Sequence, residues 1–273
     1  MSSIVSEISI PAAPSGVTGR VKNEIADALT LVKRNLLHIP RTPELLLDVT
    51  IQPIMFVLLF RYVFGGAIAV ENGSYVNYLM AGIFVQTLVF VSVTTGIAIA
   101  NDLQKGLIDR FRSLPMSRAA VLVAQTVTDL LRGALAIVVM LICGLAIGFR
   151  PEGSVFHWIL GFVIVFFFSF SLSWIGVLVG LAARSPSAVQ GAMFIVIFPL
   201  TFASSAFVPT ASMPHWLRGF AENQPVSVVI DQLRRAFLGQ SIDSSTLTSL
   251  LWSIGATLVF FPVAVWMYRK RTA

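Results

Sequence analysis

The stretch "FHWILGFVIVFFFSFSLSWIGVLVGLAA" runs for 28 residues, 156–183, without one formal charge. About 20 apolar residues at ~1.5 Å each cross a ~30 Å hydrocarbon core, and in lipid a helix satisfies every backbone polar group internally. Five further apolar runs lie at 44–64, 77–100, 119–149, 188–208 and 246–268. Only 12% of the chain is charged, against about 25% in soluble domains. The expected fold is all-α, a polytopic membrane protein with six transmembrane helices over 44–273. Residues 1–43 form a separate cytoplasmic tail and amphipathic helix.

Lysine and arginine set the orientation. Thirteen of the 19 basic residues fall in the N-terminal arm, the 101–118 loop, the Arg184 turn and the C-terminal "RKRTA", and five fall on the opposite side. Both termini are therefore expected in the cytoplasm, as in a multi-pass plasma-membrane protein. The same bias explains the net charge of +6 without calling on nucleic acid. The first twenty residues lack a basic segment followed by an apolar core and do not read as a signal peptide. Cys143, the lone cysteine, has no disulfide partner within the chain.

The external segment 209–245 is too long for a turn. Pro209, Pro214 and Pro225 divide it, and 213–221 and 226–238 read as two short re-entrant or interfacial helices. In the second, Val226, Val229, Ile230, Leu233 and Phe237 share one face, with Asp231, Arg234 and Arg235 on another. Before the first span, 19–39 reads as an amphipathic helix. Leu29, Val32, Leu36 and Ile39 form its apolar stripe, and Lys22, Lys33 and Arg34 face lipid headgroups.

Between the second and third spans lies "NDLQKGLIDRFRSLPMSR", residues 101–118, which carries six charges. Leu103, Leu107, Phe111 and Leu114 recur at helical spacing. Pro115 ends the helix, and Gly106 weakens it by about 1 kcal/mol relative to alanine. This short helix is either an interfacial shield or a docking element through which a partner could move both flanking spans.

The blocks "DVTIQPIMFVLLFRYVFGGA", "YVNYLMAGIFVQTLVFVSV", "KGLIDRFRSLPMSR" and "FPLTFASSAFVPTASMPHWLRGFAENQPVSVVIDQLRRAF" resemble the membrane subunits of type-2 ABC exporters, in particular the actinobacterial daunorubicin-resistance permeases. The resemblance covers residues 48–237. It implies that 101–115 is a coupling helix seated in an ATPase subunit, contacting it through Lys105, Asp109, Arg110, Phe111, Arg112 and Pro115. It also implies a second ATPase contact at 22–37, a second permease copy or a homologous permease as partner, and export of hydrophobic cargo such as an antibiotic or lipid. ATP and Mg would be bound by the partner ATPase, with no cofactor in this chain.

The motifs that are missing agree with a non-enzymatic subunit. There is no G-x-x-x-x-G-K-[ST] loop to hold phosphate, no H-E-x-x-H and no G-x-S-x-G. His38, His157 and His215 are scattered near membrane boundaries and read as interfacial residues. Asp129 and Arg132 lie three apart on the third span, share a face and can pair. They are either a self-neutralising pair or part of a partner or cargo interface. "GLAIG" and "GVLVG" (144–148 and 176–180) permit close helix approach. Pro53, Pro199 and Pro262 can kink their spans. The alternative class is a stand-alone ion-coupled secondary transporter, which requires midplane ionisable groups or broken helices in both halves. A scaffold or intramembrane enzyme is a third reading.

Overall fold

The structure, a computed structural model, describes residues 29–33, 43–65, 68, 74–106, 118–240 and 244–271, with the side chains of 43–50, 118–119 and 244 outside that description. The described residues form six apolar helices and two short amphipathic ones. They are α1 (Pro43–Leu59, continued by a π turn Phe60–Phe64), α2 (Tyr75–Gln104), α3 (Arg118–Ala146), α4 (Val155–Ala182), α5 (Pro186–Phe202), α6 (His215–Asn223), α7 (Pro225–Phe237) and α8 (Ser244–Arg271). One end of the bundle carries Lys105, Arg184 and Arg269–Arg271 and is called the basic end. The other carries α6 and α7 and is called the capped end.

Four of these helices, α2, α3, α4 and α8, are long and apolar enough to cross a membrane. The second half of α1 and all of α5 are shorter apolar segments. This corrects the expectation of one continuous helix over 188–208. α5 stops at Phe202, and its 17 residues reach only ~25 Å. Pro199 sits in its last turn and the chain leaves helical geometry at Ala203 (ψ 50°). The third span also ends earlier than 149. Gly148 takes φ +104°, and Phe149 N–H donates to the Gly144 carbonyl at 2.8 Å, a left-handed helix stop. In "GLAIG", then, Gly148 is a terminator, and only Gly144 meets another helix, at the Met80 side chain of α2.

α2 occupies the centre. Leu79, Met80, Ile83, Phe84, Val85, Leu88 and Val89 are all buried, as expected of a helix apolar on every side. Its closest neighbour is α4. A Cβ at Gly176 would overlap the Ser92 carbonyl, and one at Gly180 the Gly96 carbonyl. Lipid tails supply no hydrophobic force between helices, so this backbone contact and its dispersion energy hold the pair. Ser169 Oγ donates to the Leu88 carbonyl at 2.5 Å on the same seam. "GVLVG" is therefore an internal packing motif of this chain.

α7 lies across the capped end. Val226, Val229, Ile230, Leu233 and Phe237 are buried, the face assigned from their spacing. Phe237 is the hub of an aromatic cluster, with ring centroids 6.0 Å from Phe84, 5.2 Å from Phe149, 5.8 Å from Phe162 and 6.1 Å from Trp158. Its carbonyl accepts from the N–H groups of Glu152 and Gly153 at 2.9 and 2.7 Å. α8 lines the periphery, and Leu251, Leu258, Val259 and Trp266 are exposed on it.

Replacement of Gly176 by Val should separate α2 from α4 and lower stability by about 3 kcal/mol, the upper range for overpacking. Gly191, whose Cβ would meet nothing within 4 Å, should accept Ala with a gain of up to about 1 kcal/mol. Thermal unfolding of the two variants in detergent compares them directly.

Candidate functional site

At the basic end, α2 and α3 converge on the charged loop. The short helix expected over 101–115 does not begin at Asn101, and the second span does not stop at Ala100. α2 continues through Gln104, and Lys105 caps it. Gly106 then turns with φ +63°, a conformation that side chains with a Cβ rarely adopt. Leu103 therefore belongs to α2, where it packs beside Ile99 and Leu122. Lys105 is exposed. Asp109, Arg110, Phe111, Arg112 and Pro115 lie outside the described residues. Gln104 Nε2 donates to the Arg184 carbonyl at 3.3 Å, tying the end of α2 to the α4–α5 turn.

The N-terminal helix is described only at 29–33. Of the expected stripe, Val32 is buried and Leu29 is 63% exposed, and Leu31, outside that stripe, is buried beside Val32. Both pack with Ala124, against Val121 and Val127 of α3. The contact with α3 buries Leu31 and Val32. Lys33 is exposed; Lys22, Arg34, Leu36 and Ile39 lie outside the described residues.

Asp129 and Arg132 meet at 3.1 Å. Asp129 is 2% exposed, and its second oxygen accepts from Gln125 Nε2 at 3.0 Å. Each carboxylate oxygen thus has a donor from α3. Arg132 Nε is buried without a partner among the described residues. The pair neutralises itself within one helix, adjoining the stripe Leu131, Leu135, Val138 and Ile142 that α3 leaves exposed.

A polar knot at the capped end was not foreseen. Arg234, expected with Asp231 and Arg235 on the face of α7 away from its apolar one, turns inward. Its guanidinium lies 3.7 Å from the centre of the Tyr78 ring and donates to Asp231 at 2.6 Å and to the Ser205 carbonyl at 2.9 Å. Tyr78 Oη donates to the same carbonyl at 2.8 Å. Gln224 Nε2 donates to the Leu200 and Ala203 carbonyls at 2.7 and 2.9 Å, closing the end of α5. The only local signal was the Asp231–Arg234 spacing. The partners lie up to 156 residues away.

An aromatic row follows one side of the bundle. From Phe90 on α2 it passes to Phe194, Phe198 and Phe202 on α5, with centroid separations of 6.1, 5.4 and 4.2 Å. Phe207 continues it at 5.2 Å, and Phe60 of α1 at 4.3 Å. The α5 rings lie on an open face, since only Val189, Met193, Ile197 and Thr201 of that helix are buried. Among the described residues no three His, Cys, Asp or Glu side chains gather as a metal site would require. Next to Ser154, His157 makes a 2.7 Å contact, and His215 is exposed.

The bundle is that of a multi-pass membrane permease. Residues 27–238 match the ABC-2 type transporter family, and the chain belongs to that family. It is 32% identical over 249 residues to the daunorubicin resistance ABC transporter permease protein DrrB1 of Streptomyces coeruleorubidus, covering 91% of this chain and 88% of that one. It is 28% identical over 219 residues to the doxorubicin resistance ABC transporter permease protein DrrB of Mycobacterium tuberculosis, covering 79% and 72%. The chain is a membrane permease subunit of an ABC transporter, and the family implies ABC ATPase partners.

Replacing Arg132 by Met should leave Asp129 buried and unpaired, at a cost of about 3 kcal/mol. The double replacement Asp129→Leu with Arg132→Met should recover most of that loss, because it removes both charges. Thermal unfolding of both variants in detergent measures the difference.

Proposed function

We propose that this chain forms one half of the membrane pathway of an ATP-driven exporter for hydrophobic or amphiphilic cargo, an antibiotic or a lipid. The aromatic row carries the reading of cargo class. A planar amphiphile can stack on successive ring faces without a deep polar pocket, and the relatives are named for resistance to daunorubicin and doxorubicin. The open face of α5 is the seam for a second permease copy or a homologous permease. A helix too short to span alone, with Gln190 and Ser187 exposed, gains most from being covered by protein.

The motor is a separate ATPase that binds ATP and Mg. It grips the part of 101–115 that follows α2 from the cytoplasm, through Lys105, Asp109, Arg110, Phe111, Arg112 and Pro115. Support comes from the geometry of the two flanking helices. α2 is the most buried of the long helices, α3 adjoins it, and the two flank the loop, so a push there is delivered to the centre of the bundle. The N-terminal helix, docked on α3 through Leu31 and Val32, supplies a second handle, with Lys22, Lys33 and Arg34 toward headgroups or the motor. Both termini face the cytoplasm. α6 then lies in the outer interface with Trp216 and Phe220, which are exposed, toward lipid.

The permease should co-purify with its ATPase from native membrane. Phe111→Ala combined with Arg112→Glu should abolish that co-purification and reduce ATP-dependent doxorubicin movement in inverted vesicles at least tenfold, while insertion is unchanged. Full transport by the double variant would overturn the coupling assignment. Transport by the purified chain alone, driven by an ion gradient, would establish the secondary-transporter reading instead.

A further inference from the structure

The knot at the capped end converges on a single residue of the turn that follows α5. Ser205 N–H donates to Ser227 Oγ at 3.1 Å, and Ser205 Oγ donates to Asp231 Oδ1 at 2.8 Å. Its carbonyl accepts from Tyr78 and Arg234. Every polar group of Ser205 is held, two by α7 alone and the carbonyl by α2 and α7 together. The neighbouring Phe207 carbonyl accepts from Tyr75 Oη at 3.2 Å. The Ala206 backbone rests where a Cβ of Gly82 would stand. The turn 203–208 is thus fastened to α2 and α7 by these hydrogen bonds together with the buried side chains of Ala206 and Phe207.

The two sides of that joint are anchored differently. α7 is fixed by a buried apolar face, by the Phe237 aromatic cluster and by two backbone hydrogen bonds to the α3–α4 connection. α5, which leads into the turn, is buried at only one residue in four and is otherwise open. Arg234, on the side that stays, has one buried nitrogen, Nε, without a partner among the described residues, so the joint is incompletely satisfied at its centre.

We propose that Arg234 is the positioning residue of a gate at the capped end, and that the gate opens by withdrawal of the 203–208 turn while α7 stays on the bundle. The planar guanidinium bonds Asp231 and the Ser205 carbonyl at once while stacking on Tyr78. A lysine ammonium keeps the charge but lacks that fork. The aromatic row continues through Phe207 in this same turn and onto Phe60, so withdrawal interrupts the row where cargo would leave it. The proposal rests on the transport reading for its role in export, whereas the joint itself can be tested without ATP.

The test uses the full chain with its ATPase in nanodiscs, where both faces are accessible, and with Cys143 replaced by Ser. Two single-cysteine reporters are made, Ser204→Cys in the turn and Val229→Cys on the buried face of α7. Both positions are now almost fully buried, and a water-soluble maleimide reports their uncovering. Without ATP, Arg234→Gln should accelerate labelling at 204 at least tenfold and leave 229 protected. Arg234→Lys should fall between it and the parent. Tyr78→Phe, which removes one hydroxyl and keeps the ring, should give a smaller increase at 204 and serves if Arg234→Gln does not insert. During ATP turnover the parent should expose 204 and not 229. Equal labelling at 204 in the parent, Arg234→Gln and Tyr78→Phe overturns the positioning role. Joint exposure of 204 and 229 in a folded variant, or during turnover, overturns the claim that α7 stays. If ATP changes nothing in the parent while Arg234→Gln still exposes 204, the joint stands and its role as a transport gate is overturned.

Discussion

The contact between α2 and α4 is the constraint on which the rest depends. Lipid tails are as apolar as leucine, so two helices in a bilayer gain little by hiding leucines from lipid. They gain by letting backbones touch. Gly176 and Gly180 remove the side chains that would hold α4 away from Ser92 and Gly96. With α4 at backbone distance, α2 is sealed on one side, and the other helices close around it. The central helix is then both the most buried element and the one that leads into the charged loop.

The second organising problem is the end of α5. A helix that stops short of its interface leaves carbonyls that lipid cannot satisfy. α7 and the residue before it solve this with side chains. Gln224 covers the Leu200 and Ala203 carbonyls, and Arg234 with Tyr78 covers that of Ser205. The polar groups of this capping segment are spent on the irregular backbone of another segment. The requirement also explains why Arg234 points inward, against the polarity pattern of its own helix.

These two features divide the molecule mechanically. The basic end is formed by the continuous ends of α2, α4 and α8. The capped end has a joint rich in hydrogen bonds, beside a sparsely buried helix lined with aromatic rings. The Asp129–Arg132 pair lies between the two ends, held by Gln125 of α3 and by Thr95 of α2.

By itself, the sequence determined what short-range chemistry determines. Apolar runs specified the membrane helices, proline and helical spacing specified α6 and α7, and the motif blocks specified the family. The buried face of α7 was legible because 3.6-residue periodicity alone places Val226, Val229, Ile230, Leu233 and Phe237 together. Three features were settled only by tertiary structure. The stop after Gln104 depends on a glycine adopting a left-handed angle, which composition permits but does not require. The buried side of residues 29–33 depends on which face α3 offers. The inward turn of Arg234 depends on carbonyls supplied by residues 29 and 156 positions away, and no local pattern encodes a partner that only the closed bundle brings within reach.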